Sequence, residues 1–369
     1  MPPEAERRHK HEQVVALLDA HGLEAVLLSR RCNFAWYTGG ARNYVGAACD
    51  AGNSHLLVDR DGACVLTTTI EATRLTGEDL ADTDIGVRAW SYADPAERES
   101  VLAKAVGGRR VAADVPVAGL AAEPLDPAFD RLRWTLTETE IARYRSVAAD
   151  VTAAIETVCR RVEPGWTEDA VAGEAAGQLR RRGCLPWVLL VGADERLAAH
   201  RHPLPTANPV ERYVMVASCA ERGGLIAACS RLVSFGPISD DLAARHRAVM
   251  QADAALIGAT RPGATLGAIF DAARAAYADA GYPDEWRLHH QGGSIGYLPR
   301  EVKASPGCPV EALAGQAFAW NPTVAGTKCE DTILCTASGP ELLARPTDWP
   351  TERAEWQGVA IDRPLILER

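Results

Sequence analysis

Three short stretches of the chain gather side chains that can move protons or hold charged groups. In His200-Arg201-His202-Pro203-Leu204-Pro205-Thr206, just before an apolar run at 213–217, His202 suits acid–base work because an imidazole titrates near neutral pH. A surface-loop histidine is the plain alternative. In His289-His290-Gln291-Gly292-Gly293-Ser294-Ile295-Gly296-Tyr297, glycines let the backbone pass close to a ligand, while His289, His290, Gln291 and Tyr297 offer polar groups. His290 is a candidate catalytic group and the other three are candidate pocket lining, although a tight turn alone would explain the glycines. Glu330 follows Gly326-Thr327-Lys328-Cys329 and precedes an apolar strand at 332–336. A carboxylate entering a core has to be paired, hydrogen-bonded or protonated. Glu330 therefore reads as a general base or substrate anchor, or else as one half of an ion pair with Arg231 or Lys328. Arg231 and Arg300 carry guanidinium forks that grip a carboxylate at two points. Trp320 lies beside Asn321, as a candidate pocket wall or as core.

The stretch at 216–231, VASCAERGGLIAACSR, is similar to the pattern D-x-G, eight residues, D, two residues, R. In the same order, residues 292–296 resemble G-H-G-I-G, Arg300-Glu301 resembles an H-E pair, Asn321-Pro322 a glutamate-proline, and Glu330-Asp331-Thr332 a terminal E-D-T. Together these resemble the pita-bread (M24) family, which includes methionine aminopeptidase, aminopeptidase P, prolidase and creatinase. Residues 33–39, NFAWYTG, are similar to the N-x-x-Y-L-T-G signature of the creatinase N-terminal domain. The resemblance implies an α/β (α+β) protein, with a creatinase-type domain at 1–133, a pita-bread catalytic-type domain at 134–369 and a homodimeric assembly. It places the metal aspartates on Ala217 and Ala228, the metal histidine on Gly293 and a metal glutamate on Asn321, which leaves Glu330 alone among the ligands.

Two divalent ions about 3.5 to 4 Å apart need several anionic oxygens or imidazoles around them. Alanine and glycine side chains offer none, so the ligand set disfavours the usual metallopeptidase activity, and no metal or cofactor is expected. The creatinase branch works without metal, using a histidine as acid and base, and the resemblance places that histidine at His202. With Arg231, Arg300 and Lys328 outnumbering the one retained carboxylate, the expected substrate is small, amino-acid-like and carboxylate-bearing. Hydrolysis of a C–N bond by His202, Glu330 and His290 is the leading expectation. Arg231, Arg300, Glu301, His289, Gln291, Asn321, Tyr297 and Trp320 are then the substrate-binding candidates. A lyase or isomerase on the same scaffold, and a non-catalytic binding or regulatory module, stay open. Cys219 and Cys229 beside the alanines read as buried fillers more readily than as thiolate nucleophiles.

The elements that must position these groups are legible from periodicity. Residues 9–20 predict a helix closed by Gly22, residues 25–28 a buried strand, and residues 55–58 and 64–69 a hairpin around Arg60-Asp61-Gly62. The stretch at 114–130, with Pro116, Pro124 and Pro127, reads as a connection between domains. Thr137-Glu138-Thr139-Glu140 is a capping box that opens a long helix. Pro164-Gly165-Trp166-Thr167, a helix and Gly183 recur as Pro262-Gly263-Ala264-Thr265, a helix and Gly281, which marks an internal repeat.

Composition narrows the partners. The net charge of −10 repels phosphate backbones, so nucleic acid is not an expected partner. The N-terminal MPPEAERRHKHEQ is charged where a secretory signal would be apolar, and no run is long enough to cross a membrane, so a cytoplasmic location is expected. The ten scattered cysteines read as free thiols.

Overall fold

A computed structural model describes residues 3–345 and 348–369. Met1 and Pro2 of the charged N-terminal segment, and Pro346 and Thr347 of the tail, lie outside the described residues. Contacts divide the chain into a first unit, Met1–Arg133 with Thr137–Glu140, and a second, Trp134–Leu136 with Ile141–Arg369.

The first unit contains α1 (Pro3–His21), β1 (Ala25–Arg30), α2 (Arg31–Thr38), β2 (Ala51–Asp59), β3 (Gly62–Thr68), α3 (Thr69–Arg74), β4 (Gly86–Trp90), α4 (Pro95–Val106), β5 (Val111–Ala113) and β6 (Glu123–Pro124). Its sheet runs β4-β3-β2-β1-β5-β6. α1 stops at Gly22, whose φ of 62° suits the left-handed cap. β2 and β3 pair antiparallel as the hairpin that the turn residues predict. The stretch at 114–130 is more ordered than a bare connection. Its Glu123–Pro124 forms an edge strand beside β5, a position that tolerates the missing amide of proline, and Pro127–Arg133 winds into a 3₁₀ turn.

In the second unit follow α5 (Glu138–Arg161, from Ile141 on), α6 (Glu168–Arg181), β7 (Leu185–Ala193), α7 (Glu195–Ala199), β8 (Tyr213–Arg222), β9 (Leu225–Ser234), α8 (Asp240–Ala259) and α9 (Leu266–Asp279). Then come β10 (Gly292–Ile295), β11 (Val302–Lys303), β12 (Gln316–Trp320), β13 (Thr323–Val324), β14 (Thr327–Lys328), β15 (Asp331–Thr336), β16 (Gly339–Leu342), β17 (Thr351–Trp356), β18 (Val359–Pro364) and β19 (Leu367–Glu368). The main sheet runs β11-β10-β12-β15-β9-β8-β7, with β16 on β15 and β19 on β9. β8 and β9 pair along their whole length across Gly223-Gly224, both at positive φ, the geometry a two-residue hairpin demands.

The repeat in the sequence is a repeat in space. Thr167 accepts a hydrogen bond from Ala170 N at 3.1 Å at the start of α6, and Thr265 accepts one from Ala268 N at 3.2 Å at the start of α9. Such caps satisfy amides that the helix leaves open. The capping box holds too: Thr137 N donates to Glu140 Oε2 at 2.8 Å, and Glu140 N donates back to Thr137 Oγ1 at 3.2 Å.

Phe318, Trp320, Ile333 and Cys335 from β12 and β15 bury against Leu256, Ile257 and Phe270 of α8 and α9. A chain of buried charges links β9 and β15 to α5, α8 and β18. Arg231 meets Asp331 at 2.9 Å and Glu156 at 3.2 Å, and Arg363 meets Asp331 at 2.6 Å and Asp253 at 2.7 Å. The tail, which has no recognisable motif in the sequence, thus supplies Arg363 to the core through β18. All ten cysteines are free thiols, seven of them buried.

Candidate functional site

Two loops of the second unit bring three histidines together. The loop after α7 carries His202, and the segment entering β10 carries His289 and His290. Nε2 of His202 lies 2.9 Å from Nε2 of His289, with the rings edge to face at 4.7 Å between centroids. His289 stacks on His290 at 4.6 Å, and one ring nitrogen of each histidine lies within 4.8 Å of the other two. His202 is exposed, His290 half-buried and His289 buried.

The His202 loop is pinned by a buried carboxylate. Glu168, fully buried at the start of α6, accepts from Ala193 N at 2.8 Å, Arg196 Nε at 2.9 Å, Thr206 N at 3.0 Å and Thr206 Oγ1 at 2.7 Å. Pro203 packs onto the backbone at Gly192, where any Cβ would fall 2.5 Å from its ring. Arg201 reaches Glu285 at 2.6 Å. Gln291 fixes the other segment: its Nε2 donates to His289 O at 2.5 Å, and its Oε1 accepts from Tyr277 Oη at 3.0 Å.

Glu330 sits between two cations. Its Oε2 is 2.7 Å from Lys328 Nζ, and its Oε1 accepts from Arg300 Nη2 at 3.2 Å. Burial works against the charge of Glu330, but Lys328 and then Arg300 outweigh it and hold the carboxyl below its usual range. The same fields keep the imidazoles neutral. Burial first, then Lys328, lowers His202 and His289, and burial followed by Arg300 and Lys328 pushes His290 down to about 4. A neutral imidazole presents one N–H and one lone pair. Nδ1 of His289 and Nδ1 of His290 are buried and have no hydrogen-bond partner among the described residues.

Several residues expected to line a pocket have other duties. Arg231 is fully buried and committed to Asp331 and Glu156, so its guanidinium is structural, and Glu330 pairs with Lys328 and Arg300 instead. Trp320 shares a strand face with Phe318, lies in the core and donates from Nε1 to Thr260 Oγ1 at 3.0 Å. Gln291 spends its amide on the fold. Tyr297 is buried, and Glu301 donates its backbone N–H to Ser294 O at 2.9 Å. Asn321 donates its backbone N–H to Gln291 O at 3.1 Å, while its buried Oδ1 has no partner among the described residues. Burial pushes the Cys219 thiol up to about 11 and the Cys229 thiol well above its usual value, which suits fillers and not nucleophiles.

Ala217 and Ala228 lie on β8 and β9, where they pair with Ser230 and Cys219. Gly293 has φ of 153°, and a Cβ there would stand 2.0 Å from Val302 O. Glu168 and Arg201 were not separable in the sequence from an ordinary helix-start acid and a surface arginine; only their burial and partners single them out.

A nine-stranded sheet with paired helices carrying a polar site in one unit, and a six-stranded α/β sheet in the other, make a two-unit fold like that of prolidase and PepE structures. Residues 142–337 match the model of metallopeptidase family M24, and the chain belongs to that family. The Xaa-Pro dipeptidase of Lactobacillus helveticus is 28% identical over 222 residues, which is 57% of this chain and 60% of that protein, under two thirds of its length. The probable dipeptidase PepE of Mycobacterium tuberculosis is 26% identical over 281 residues, 70% of this chain and 75% of that protein. The crystal structure of dipeptidase PepE from Mycobacterium ulcerans superposes with a TM-score of 0.75 at 22% identity, covering 93% of this chain and 97% of that one. No helix among the described residues is long and apolar enough to cross a membrane.

Proposed function

We propose that this chain is a hydrolase that cleaves a C–N bond in small, amino-acid-like substrates bearing a free carboxylate, without a paired-metal centre. The observation that carries the reading is the convergence of His202, His289 and His290 in the unit where Lys328 and Arg300 hold Glu330. Two cations against one carboxylate leave an unbalanced positive charge, which favours an anionic group on the substrate. The relatives named as dipeptidases act, by those names, on molecules that carry such a carboxylate.

The donor set supports the absence of a paired centre. Ala217, Ala228 and Gly293 offer no ligand atom, the backbone at Gly293 leaves no room for a side chain, and Glu330 is held by Lys328. No step in this reading runs through paired ions. Water activation falls to the imidazole cluster, with exposed His202 as its member nearest to incoming substrate. Glu330, kept ionised with both oxygens engaged, acts as the anchor that sets Lys328 and Arg300 and not as the base.

A panel of dipeptides and N-substituted amino acids, each compared with its carboxyl-amidated form, tests the reading. Turnover is expected for free carboxylates, with a loss of about 100-fold or more in His202→Gln, the size of a general-base contribution. Equal turnover of amidated substrates sinks the carboxylate assignment. Elimination products in place of hydrolysis products point to a lyase, and no turnover across the panel points to a binding module.

A further inference from the structure

We propose that His202, His289 and His290 form a binding site for a single zinc-class divalent ion, made of residues other than those aligned with the family's paired-ion ligands. The idea deepens the hydrolase reading and rests on it for its chemistry, since with the rings as ligands the water activation given to the imidazoles would pass to water held on the ion, while binding itself stands on the geometry of the three rings.

The geometry needs little adjustment. Imidazole nitrogens bind zinc at about 2.0 to 2.1 Å, so three of them on one tetrahedral ion stand roughly 3.4 Å apart. Here one nitrogen of each ring lies within 4.8 Å of the others, and the His202–His289 pair is already at 2.9 Å. Small ring rotations would close the set. The three histidines come from two segments that Glu168 and Gln291 hold in place, so the donors are preorganised.

The chemistry of the donors points the same way. Two Nε2 atoms in contact can share one proton at most, which leaves a lone pair in the cluster. Nδ1 of His289 and Nδ1 of His290 are buried without hydrogen-bond partners among the described residues, so the Nε2–Nε2 contact leaves these two ring nitrogens uncommitted. Three neutral imidazoles with one exposed side give the composition of a zinc site that keeps a fourth position open for water. Imidazole also suits copper, nickel and iron, so the ligands define a class of ion and not one element. Lys328 and Arg300, only partly balanced by Glu330, oppose a dication and favour an anionic fourth ligand such as hydroxide or a substrate carboxylate.

The test uses the full chain, stripped with chelator and titrated with zinc chloride by calorimetry and with cobalt chloride by visible absorption. The wild type is expected to take one equivalent of each ion and to show the intense bands of tetrahedral cobalt. His202→Gln and His290→Gln are expected to weaken binding by about 100-fold or more, the upper range seen when a site loses groups that shape it. His200→Gln, an exposed neighbour outside the cluster, should bind as the wild type does. Failure of the wild type to bind either ion, or affinity unchanged in both cluster variants, overturns the proposal. Turnover by stripped protein that binds no ion would remove the ion and leave the hydrolase reading standing. Ion binding without turnover on any substrate would keep the ion and remove the hydrolase.

Discussion

The carboxylate of Glu330 and the ammonium of Lys328, two positions apart in the chain, form a buried ion pair 2.7 Å long with side chains 4% and 3% exposed. Lys328→Met leaves Glu330 with the longer Arg300 contact alone. Breaking a buried pair from one side costs about 3 kcal/mol, because the remaining charge keeps its burial penalty. Urea unfolding should show that loss in the single variant and its partial recovery in Lys328→Met/Glu330→Gln. A single variant as stable as the wild type would mean that Arg300 alone satisfies Glu330.

His246 sets a pH dependence. Its Nδ1 contacts Thr327 Oγ1 at 2.7 Å and its Nε2 contacts Pro364 O at 2.9 Å, and burial pushes its pKa down to about 4 from 6.5. The unfolded chain takes a proton below about pH 6.5 while the folded one resists until about pH 4, so stability is full above that window and falls as pH drops through it. The loss is on the order of 3 kcal/mol by linkage. In His246→Gln the slope between these pH values should flatten; an unchanged slope assigns the dependence to other groups.

Placing at Gly293 the histidine that the proposed alignment assigns to this position should harm the protein. Gly293→His puts a Cβ 2.0 Å from Val302 O on a backbone with φ of 153°, so β10 and β11 must separate. A thermal melt should show a loss of about 2 kcal/mol or more, since strain and overpacking add here. A variant that melts like the wild type and takes up two metal equivalents would reverse the reading of this position.

Glu168→Gln replaces one acceptor oxygen by a donor facing other donors. The cost should be about 2 kcal/mol, the penalty for buried polar groups left unmade. Amide exchange should rise across residues 193–206 more than in α9. Exchange that rises equally everywhere would indicate global destabilisation and no special hold on His202.

The thiols give a simple reactivity order. Cys49 is exposed, whereas burial raises Cys219 to about 11 and Cys229 well above its usual value. Mass mapping after brief treatment with a disulfide reagent at neutral pH should find Cys49 labelled and Cys219 unlabelled; fast labelling of Cys219 would reopen it as a nucleophile.

Local features were readable because neighbours in sequence decide them. The caps at Thr167 and Thr265, the hairpin of β2 and β3 and the capping box at Thr137 each lie within a few residues, and the class of fold follows from their order. The side to which Trp320 turns was also present in the text, since Phe318 and Trp320 alternate with Ala317 and Ala319. What was not readable depends on distant pairings. His202 and His289 are 87 positions apart, and Arg231 and Asp331 are 100 apart, so neither the histidine cluster nor the commitment of Arg231 leaves a local trace.

Those separations also set an order of assembly. β8 and β9 close through a two-residue turn and lose little chain entropy, whereas joining β9 to β15 at Cys229 and Asp331 encloses a loop of about a hundred residues. The hairpin that carries Ala217 and Ala228 is therefore expected to form early, and the histidine cluster only when long-range pairing is complete. During synthesis, the site would remain unmade until the segment after α9 has left the ribosome, which delays any ligand or ion capture until the scaffold can hold it.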